Sequence, residues 1–239
     1  MPTTATAPFR LAALSADKKP LGRTTAHTGS LQLNQGKVEF RNIKLKPLGL
    51  KPLFNGKDLS GWRVIPDHKS VFSVTAEGEL SVKDGNGGLE SDAQFADFVL
   101  QIDVKTLGKH LNSGIFFRSI PGEFWNGYES QIQNGFEGED RTKPLDYGTG
   151  AFYRRQKARK VVSNDFEWFT KTLVVSGKHM ATWVNGYQVC DWSDTRPPHA
   201  NPRQGTREEK GTLIIQGHDP TTDLLFRNIQ AGELPARGK

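Results

Sequence analysis

Two segments decide the fold: Asn112-Ser113-Gly114-Ile115-Phe116-Phe117-Arg118 and Gly127-Tyr128-Glu129-Ser130-Gln131-Ile132-Gln133. Side chains two residues apart in a strand share a face. One face of the first segment therefore carries Ser113, Ile115 and Phe117, and the other carries Asn112, Gly114, Phe116 and Arg118. In the second segment Glu129, Gln131 and Gln133 share a face. Glu and Gln form strands poorly, so this face is either open to water or lines a polar cleft.

The composition bounds the class of protein. A chain of 239 residues forms one large β domain or two small ones and can bury a core at this length. Its one cysteine, Cys190, excludes an internal disulfide and a thiolate metal site. No apolar run is long enough to span a membrane, and residues 1–8 lack the charged and apolar regions of a signal peptide.

Much of the formal net charge of +6 lies in one basic run, residues 153–160. A basic run can meet phosphate or an acidic polymer. No stacking aromatics interleave with these charges, and the chain has no nucleic-acid module signature. We interpret the run as a solvated loop and expect neither a nucleic-acid partner nor a membrane partner.

The remaining pattern predicts an all-β protein. Short strands are predicted at 71–75, 79–82, 98–105, 168–176 and 180–184, with Phe98, Leu100, Ile102 and Val104 facing the core. Asn185-Gly186 suits a type I′ hairpin turn, and the proline-rich, charged residues 193–210 suit a long loop. We find no sustained helical period. About ten or more short strands at regular spacing are typical of a β-sandwich or jelly roll.

Two stretches near the ends of the chain resemble each other. Residues 29–33 and 38–43 resemble residues 211–215 and 224–229, and both copies contain Phe-Arg-Asn-Ile. Each copy is predicted to form a hairpin of two short strands. Either these are similar strands of one sheet, or residues 29–45 are the last hairpin of a truncated preceding repeat. The linker-like residues 46–52 favour the second interpretation.

We therefore predict an N-terminal extension at 1–52, a main domain at 53–232 and a polar tail at 233–239. The candidate site residues in the main domain are Asn112, Arg118, Trp125, Glu129, Gln131, Asp146, Tyr153 and His218. Each also has a purely structural interpretation, such as a strand-edge charge for Arg118 and an exposed loop position for His218. No zinc-protease helix, Walker loop, dinucleotide fingerprint or nucleophile elbow is present.

A polar face with a tryptophan nearby suits a sugar, because aromatic rings stack on pyranose faces while amides and carboxylates bond hydroxyl groups. Residues 53–62, Leu53-Phe54-Asn55-Gly56-Lys57-Asp58-Leu59-Ser60-Gly61-Trp62, resemble the opening of the 3-keto-disaccharide hydrolase family. Five later blocks resemble that family in the same order: 112–118, 127–132, 150–153, 183–186 and 226–229. The resemblance covers about residues 53–230.

The resemblance implies a concanavalin A-like or LamG-like jelly roll whose concave sheet holds a sugar. It implies cleavage of glycosides that a separate upstream dehydrogenase has oxidised to a ketone at C3. Members are usually exported, so the resemblance implies a periplasmic or secreted location, although no signal peptide is visible in this chain. The implied partner is an oligosaccharide or glycoside substrate.

A ketone at C3 acidifies the proton on C2, so a base can form an enolate, the C1 substituent can depart, and water can add back. On this scheme Glu129 is the base or a ligand of a metal that polarises the ketone. Arg118 stabilises the oxyanion, and His218 is the proton donor or second ligand. Gln131 and Tyr153 orient hydroxyl groups, with Asn112, Asp146 and Trp125 completing the substrate-binding set. A carboxylate with a histidine can hold a divalent ion, and we expect Glu129, Arg118 and His218 to converge on one concave surface.

Two other functions remain open at this point. A carbohydrate-binding module on the same fold needs aromatics and amides but no catalytic carboxylate. An ordinary glycosidase needs a second acid within roughly 5 to 9.5 Å of the first, and the candidates for it are the loop residues Asp146 and Glu137.

Overall fold

The computed structural model describes residue 47 and residues 49–234, and in this part of the chain the backbone forms fifteen β-strands and no α-helix. The strands are β1 Lys51–Pro52, β2 Trp62–Val64, β3 Val71–Val74, β4 Leu80–Lys83, β5 Gly87–Phe95, β6 Phe98–Thr106, β7 Ser113–Ser119, β8 Tyr128–Ile132, β9 Phe136–Glu137, β10 Asp140–Pro144, β11 Phe169–Ser176, β12 His179–Val184, β13 Tyr187–Ser193, β14 Gly211–Gly217 and β15 Asp223–Glu233. A 3-10 turn spans Leu145–Tyr147. No helix in the described residues is long and apolar enough to cross a membrane.

The strands form two main antiparallel sheets. The eight-stranded sheet has the order β13-β12-β11-β6-β15-β4-β3, with β1 also paired to the long strand β15. The five-stranded sheet has the order β2-β5-β14-β7-β8, and β9 pairs with β10 in a small separate ribbon. The predicted strands at 71–75, 79–82, 98–105, 168–176 and 180–184 correspond to β3, β4, β6, β11 and β12.

The core lies between the two sheets. On β6 the predicted inward set of Phe98, Leu100, Ile102 and Val104 is buried as expected, while the intervening residues Gln101, Asp103 and Lys105 are partly exposed. The Phe98 ring meets the Phe117 ring of the opposite sheet edge-on, with centroids 6.1 Å apart. Each fully buried side chain of this size stabilises the fold by about 1.5–3 kcal/mol. The all-β sandwich prediction is thus confirmed.

The hairpin predicted at Asn185-Gly186 is also confirmed. β12 pairs with β13, and Val184 lies opposite Tyr187. Asn185 and Gly186 both have positive φ, 50° and 80°, which a type I′ turn requires at its two central positions.

The hairpin predicted over residues 211–230 is wrong. β14 pairs with β5 and β7 in the five-stranded sheet, whereas β15 pairs with β1, β4 and β6 in the other sheet. Residues 218–222 therefore carry the chain across the sandwich from one sheet to the other. Alternation predicts which face of a strand is apolar, but it does not identify the strand that pairs with it. The similar stretch at 29–45 lies outside the described residues, as does the tail from 235 onward.

Candidate functional site

A polar cleft with a volume of about 440 Å³ opens on the face of the five-stranded sheet that points away from the core. This volume is typical of small-molecule sites. The cleft is lined by Asn112, Trp125, Asn126, Glu129, Gln131, Tyr153, Arg154, Arg203, Gln216 and His218. Six of the eight predicted site residues are among them, and Arg118 and Asp146 are not.

Strand β8 places the carboxylate and amide in the cleft by simple alternation. Tyr128 and Ile132 pack into the core between the sheets, so Glu129 and Gln131 face the opposite side and line the cleft. Of the two interpretations of this polar face, the cleft is therefore the one that the structure supports.

The glycine of β7 makes room for these side chains. Gly114 lies opposite Gln131 in the register of β7 and β8. A Cβ atom on Gly114 would lie 2.7 Å from Glu129 Oε1 and 3.1 Å from Gln216 Oε1. Any larger residue would have to displace the Glu129 carboxylate, so the floor of the cleft requires glycine here.

Glu129 is a buried carboxylate with one close cationic partner. It is 5% exposed, and Arg203 Nη2 donates to its Oε2 over 2.8 Å. Burial raises the pKa of Glu129, and the positive charges of Arg203, His218 and Lys171 oppose that rise. Removal from water makes the ionised form a stronger proton acceptor than an exposed carboxylate, which is what a general base requires.

A buried lysine lies on the core side of the strand that carries Glu129. Lys171 of β11 is 1% exposed, and its Nζ donates to the carbonyl oxygens of Ser130 and Gln131 over 2.6 and 2.9 Å. Burial lowers the pKa of Lys171 to about 7, against the opposing effect of the Glu129 charge. The sequence could have indicated this buried lysine, because alternation along the strand places Lys171 on the same inward face as Phe169 and Leu173.

Asp146 is an exposed residue beside the cleft and orients two amides that line it. Its Oδ2 accepts hydrogen bonds from Asn112 Nδ2 at 2.6 Å and from Gln131 Nε2 at 2.9 Å. An ionised carboxylate only accepts, so both amides must turn their NH₂ groups towards it. Asn112 Oδ1 is left buried without a partner. Asp146 thus orients two amides that line the cleft, and its predicted contact with substrate stays a prediction.

The backbone is strained where Asp146 is held. Asp146 and Tyr147 have consecutive positive φ values of 39° and 71°, a conformation that residues other than glycine adopt at some energetic cost. The carboxylate held by this turn accepts the Asn112 amide. The strained turn thus serves the orientation of the amides on the cleft wall.

His218 follows the last residue of β14 at the start of the crossover between sheets. Its Nδ1 lies 2.8 Å from Asp219 Oδ2, and its backbone N–H donates to Thr222 Oγ1 over 2.9 Å. Because the carboxylate accepts, the Nδ1 atom carries the proton in this pair, which leaves Nε2 as the ring nitrogen that can exchange a proton with a ligand.

The predicted catalytic role of Arg118 is wrong. Arg118 is 0% exposed and donates to the carbonyl oxygens of Ala96, Gly177 and Arg207 and to the Asp97 carboxylate, over 2.7–2.9 Å. The cause is a β-bulge, because Phe117 and Arg118 together lie opposite the single residue Leu213 and Arg118 has a φ of 48°. A bulge breaks the alternation of side chains, so Arg118 leaves the face that it was predicted to share. Only Glu129 and His218 of the expected three converge.

The cation in the cleft is instead Arg203, which comes from the long loop at 194–210. Its Nε donates to the Trp125 carbonyl over 2.7 Å, and its guanidinium lies 5.0 Å from the Phe116 ring centroid and 5.8 Å from that of Tyr153. Periodicity could not identify Arg203, because a loop has no periodic pattern.

The loop that supplies Arg203 is braced by its own side chains. Arg196 pairs with the Asp194 carboxylate over 2.8 Å and donates to the carbonyl oxygens of Pro202 and Gly205, each over 2.9 Å. Arg196 thus lies inside the loop and donates hydrogen bonds to its carbonyl groups. The loop forms the roof over Glu129.

Aromatic side chains flank the opening of the cleft. Trp125 is 36% exposed and packs on Phe124 with ring centroids 4.3 Å apart. Arg154 lies 5.4 Å from the Tyr153 ring centroid and lines the cleft, although it belongs to the basic run that we interpreted as a solvated loop. Asn126 and Gln216 also line the cleft and were not among the residues predicted from the sequence. Gln216 could have been found, because Thr212, Ile214 and Gln216 alternate along β14.

The described residues contain no group of three or more His, Cys, Asp or Glu side chains that could hold a metal ion. Glu129 and His218 would thus supply two protein ligands to a divalent ion. Among the cleft-lining residues of the described chain, Glu129 is the one carboxylate. Glu137 is exposed on β9, and neither it nor Asp146, the two candidates for a second acid, is among the residues that line the cleft.

A sandwich of two antiparallel sheets, with a polar and aromatic-rimmed cleft on one of them, defines a protein of the jelly-roll class. The chain belongs to the family of 3-keto-alpha-glucoside-1,2-lyase-like domains, whose sequence model matches residues 49–231. The resemblance of the sequence motifs to the 3-keto-disaccharide hydrolases is thereby confirmed, and a carbohydrate-related function is supported.

Solved structures share the fold. Two proteins from Parabacteroides distasonis are described as candidate glycosyl hydrolases. One has a TM-score of 0.64 at 23% identity, over 78% of this chain and 94% of that one. The other has a TM-score of 0.60 at 27% identity, over 77% and 99%. The carbohydrate-binding module CBM66 from Bacillus subtilis has a TM-score of 0.52 at 17% identity, over 72% and 96%. No curated protein matches the chain.

Proposed function

We propose that the cleft cleaves glycosides that carry a ketone at C3, with Glu129 as the base that removes the proton from C2. The observation that carries the proposal is the Glu129 carboxylate itself. It is buried at the floor of the cleft, burial raises its pKa, and no second carboxylate lines the same cleft in the described residues. One buried base suits proton abstraction next to a ketone, whereas an ordinary glycosidase uses two carboxylates.

The reaction proceeds through an enolate. Glu129 takes the C2 proton, and the electron pair of that bond forms a C2–C3 double bond while the ketone oxygen becomes negatively charged. The electrons then return, the C1–O bond breaks, and the departing oxygen takes a proton from Nε2 of His218 in its imidazolium form, which leaves the neutral ring with its proton on Nδ1. Water adds to C1 and a proton returns to C2, which completes hydrolysis. If the enone leaves before water adds, the same steps make the chain a lyase.

The remaining cleft residues bind and orient the sugar. Trp125 at the rim offers a ring face to a pyranose, and the unpartnered Asn112 Oδ1 accepts a hydrogen bond from a hydroxyl group. Arg203 holds Glu129 in place through the 2.8 Å ion pair. The ketone of the substrate has to be made by an oxidation at C3, so a dehydrogenase of that specificity is the class of enzyme that acts upstream.

Turnover of matched substrates tests the proposal. A 3-keto-glucoside and its unoxidised parent are incubated with the chain, with and without a chelator, and the released sugar is followed. We expect release from the keto substrate alone, and loss on chelation would add a divalent metal at Glu129 and His218. Release from the unoxidised parent would overturn the proposal in favour of an ordinary glycosidase.

The second candidate function is a carbohydrate-binding module, which the exposed Trp125 at the cleft rim favours. The variant Glu129→Gln separates the two functions, because it keeps the size of the side chain and one acceptor oxygen for Arg203 but removes the base. An enzyme should retain binding and lose at least about 10²-fold in turnover. Glu137→Gln is the matched control, since Glu137 is an exposed carboxylate outside the cleft. Tight binding by the wild type without any release would support the binding module.

A further inference from the structure

One amide on the cleft floor has no hydrogen-bond partner at either end. Gln216 is 0% exposed, yet both its Nε2 and its Oε1 are unpaired in the structure. A buried amide without partners destabilises the fold at each of its polar groups, so a side chain that performed only a structural task would have been expected to find partners. The amide lines the cleft, which makes a bound ligand the natural partner.

Gln216 lies beside the candidate base. Ile215 of β14 pairs with Ile115 of β7, so the next residue along β14 lies next to Gly114. The point above Gly114 is 2.7 Å from Glu129 Oε1 and 3.1 Å from Gln216 Oε1. The Glu129 carboxylate and the Oε1 end of the Gln216 amide therefore approach the same small volume above the glycine, from β8 and β14 respectively, with Nε2 at the other end of that amide.

The other amides of the cleft already donate to carboxylates. Asn112 Nδ2 and Gln131 Nε2 both donate to Asp146, and Asn126 Nδ2 donates to Glu123 over 2.6 Å. Arg203 is likewise engaged with Glu129 and with the Trp125 carbonyl. Among the four amides that line the cleft in the described residues, Gln216 is the one whose NH₂ group has no acceptor.

We propose that Gln216 Nε2 is the donor that stabilises the oxygen on C3 when the enolate forms, a catalytic role that the buried Arg118 cannot fill. The inference rests on the proposed function, because it assigns a residue to that reaction. When Glu129 removes the C2 proton, the adjacent C3 oxygen gains the negative charge. C2 and C3 are bonded neighbours, so the base and the oxygen donor have to lie side by side, as Glu129 and Gln216 do above Gly114.

A preorganised donor of this kind acts on the transition state. Removing one such donor lowers kcat by about 10²–10³-fold in enzymes that stabilise an oxyanion. The donor is held at the end of a central strand whose neighbours β5 and β7 pair with it on both sides, so no rearrangement of the backbone is needed when the charge develops.

Exchange of the C2 proton with solvent measures this step separately from cleavage. The wild type and Gln216→Met are incubated with a 3-keto-glucoside in D₂O, and incorporation of deuterium at C2 is followed by NMR together with sugar release. Gln216→Met is expected to lower the exchange rate and kcat by about 10²-fold or more, with KM changed much less. Gln216→Glu, which replaces the donor by an acceptor, is expected to be at least as slow.

Two further readouts distinguish catalysis from a structural role. Binding of the unoxidised parent glycoside, which has no ketone, should change little in Gln216→Met. The melting temperature should stay the same or rise, because an apolar side chain replaces an unsatisfied polar one. A fall in melting temperature with parallel losses of binding and exchange would overturn the proposal.

The outcomes separate the two proposals. If the wild type neither exchanges deuterium nor releases sugar, the proposed function fails and the role of Gln216 falls with it. If the wild type turns over and Gln216→Met exchanges within about threefold of it, only the role of Gln216 is overturned. Loss of exchange in Tyr153→Phe with full exchange in Gln216→Met would assign the donor to the tyrosine instead.

Discussion

Two buried polar clusters on the same sheet differ in one respect, the completeness of their hydrogen bonding. At one end of β7 the Arg118 guanidinium meets three carbonyl oxygens and a carboxylate. On the cleft floor the Gln216 amide and Asn112 Oδ1 meet no partner. Arg118 and Gln216 are equally buried, at 0% exposure. Burial and polarity are therefore alike at the two residues, and the difference between them lies in unfilled hydrogen-bonding capacity.

The largest effect is expected from breaking the satisfied cluster. Arg118→Met leaves the Asp97 carboxylate and three carbonyl groups without the guanidinium. Loss of one partner from a buried ion pair lowers the free energy of unfolding by about 3–5 kcal/mol. Denaturant unfolding measures it, and Gln216→Met, at an equally buried residue, is the matched comparison. The contrast between the clusters would fail if Arg118→Met unfolded at the same denaturant concentration as the wild type.

Lys171 is a third buried polar group to compare with the two clusters. Its described hydrogen bonds are all to carbonyl oxygens. Burial lowers its pKa in the folded state from 10.5 to about 7. A lowered pKa of a basic group means that the folded state binds the proton less tightly than the unfolded state does. Stability from this group is therefore highest above the unfolded pKa and declines as the pH falls towards 7.

Lys171→Met removes this dependence on pH. We expect the free energy of unfolding of the variant, relative to the wild type, to increase as the pH falls from about 10 to 7. Unfolding in urea at several pH values measures the trend, whatever the offset from the lost hydrogen bonds. An offset that is constant across this range would show that the lysine has the same proton affinity in both states.

Substitution of Arg203 tests how the charges around the cleft set the pKa of Glu129. Its charge opposes the rise in the pKa of Glu129, so Arg203→Met should raise that pKa further. Activity needs the ionised carboxylate, and the acidic limb of the kcat/KM profile should therefore move to higher pH. Arg154→Met is the control, because Arg154 lines the same cleft but is not among the charges acting on Glu129. A shift to lower pH in Arg203→Met would contradict the assignment of Glu129 as base.

The smallest effect is expected at the rim. Trp125→Ala removes an exposed ring face and should raise KM by about 2- to 10-fold, which corresponds to about 0.5–1.5 kcal/mol of lost ring contact. The value of kcat should stay unchanged, because Trp125 does not contact the reacting carbons in the proposed scheme. Steady-state kinetics would contradict this role if kcat fell and KM did not change.

The sequence predicted those features that depend on local alternation. The inward face of β6 and the outward face of Glu129 and Gln131 follow from the two-residue period of a strand. The same rule failed at Arg118, where one extra residue in a bulge turns the side chain away, and at residues 211–230, where strand pairing is a long-range property. Arg203 could not be predicted, because it lies in a loop without a periodic pattern and is placed by long-range contacts with Trp125 and Glu129.

The Arg196 brace in loop 194–210 has a consequence for engineering. The cleft floor belongs to paired strands, but its roof is a loop that combines internal hydrogen bonds to the Arg196 guanidinium with hydrogen bonds to the sandwich, such as those of Asn201 with Asn126 and of Arg207 with Tyr128. Such a segment can be exchanged as a cassette, provided that Asp194 and Arg196 travel with it and that its contacts with the sandwich are kept. Grafting roofs of different length onto this sandwich would change which sugars fit above Glu129 while the carboxylate itself stays in place, so the fold offers a way to vary selectivity separately from chemistry.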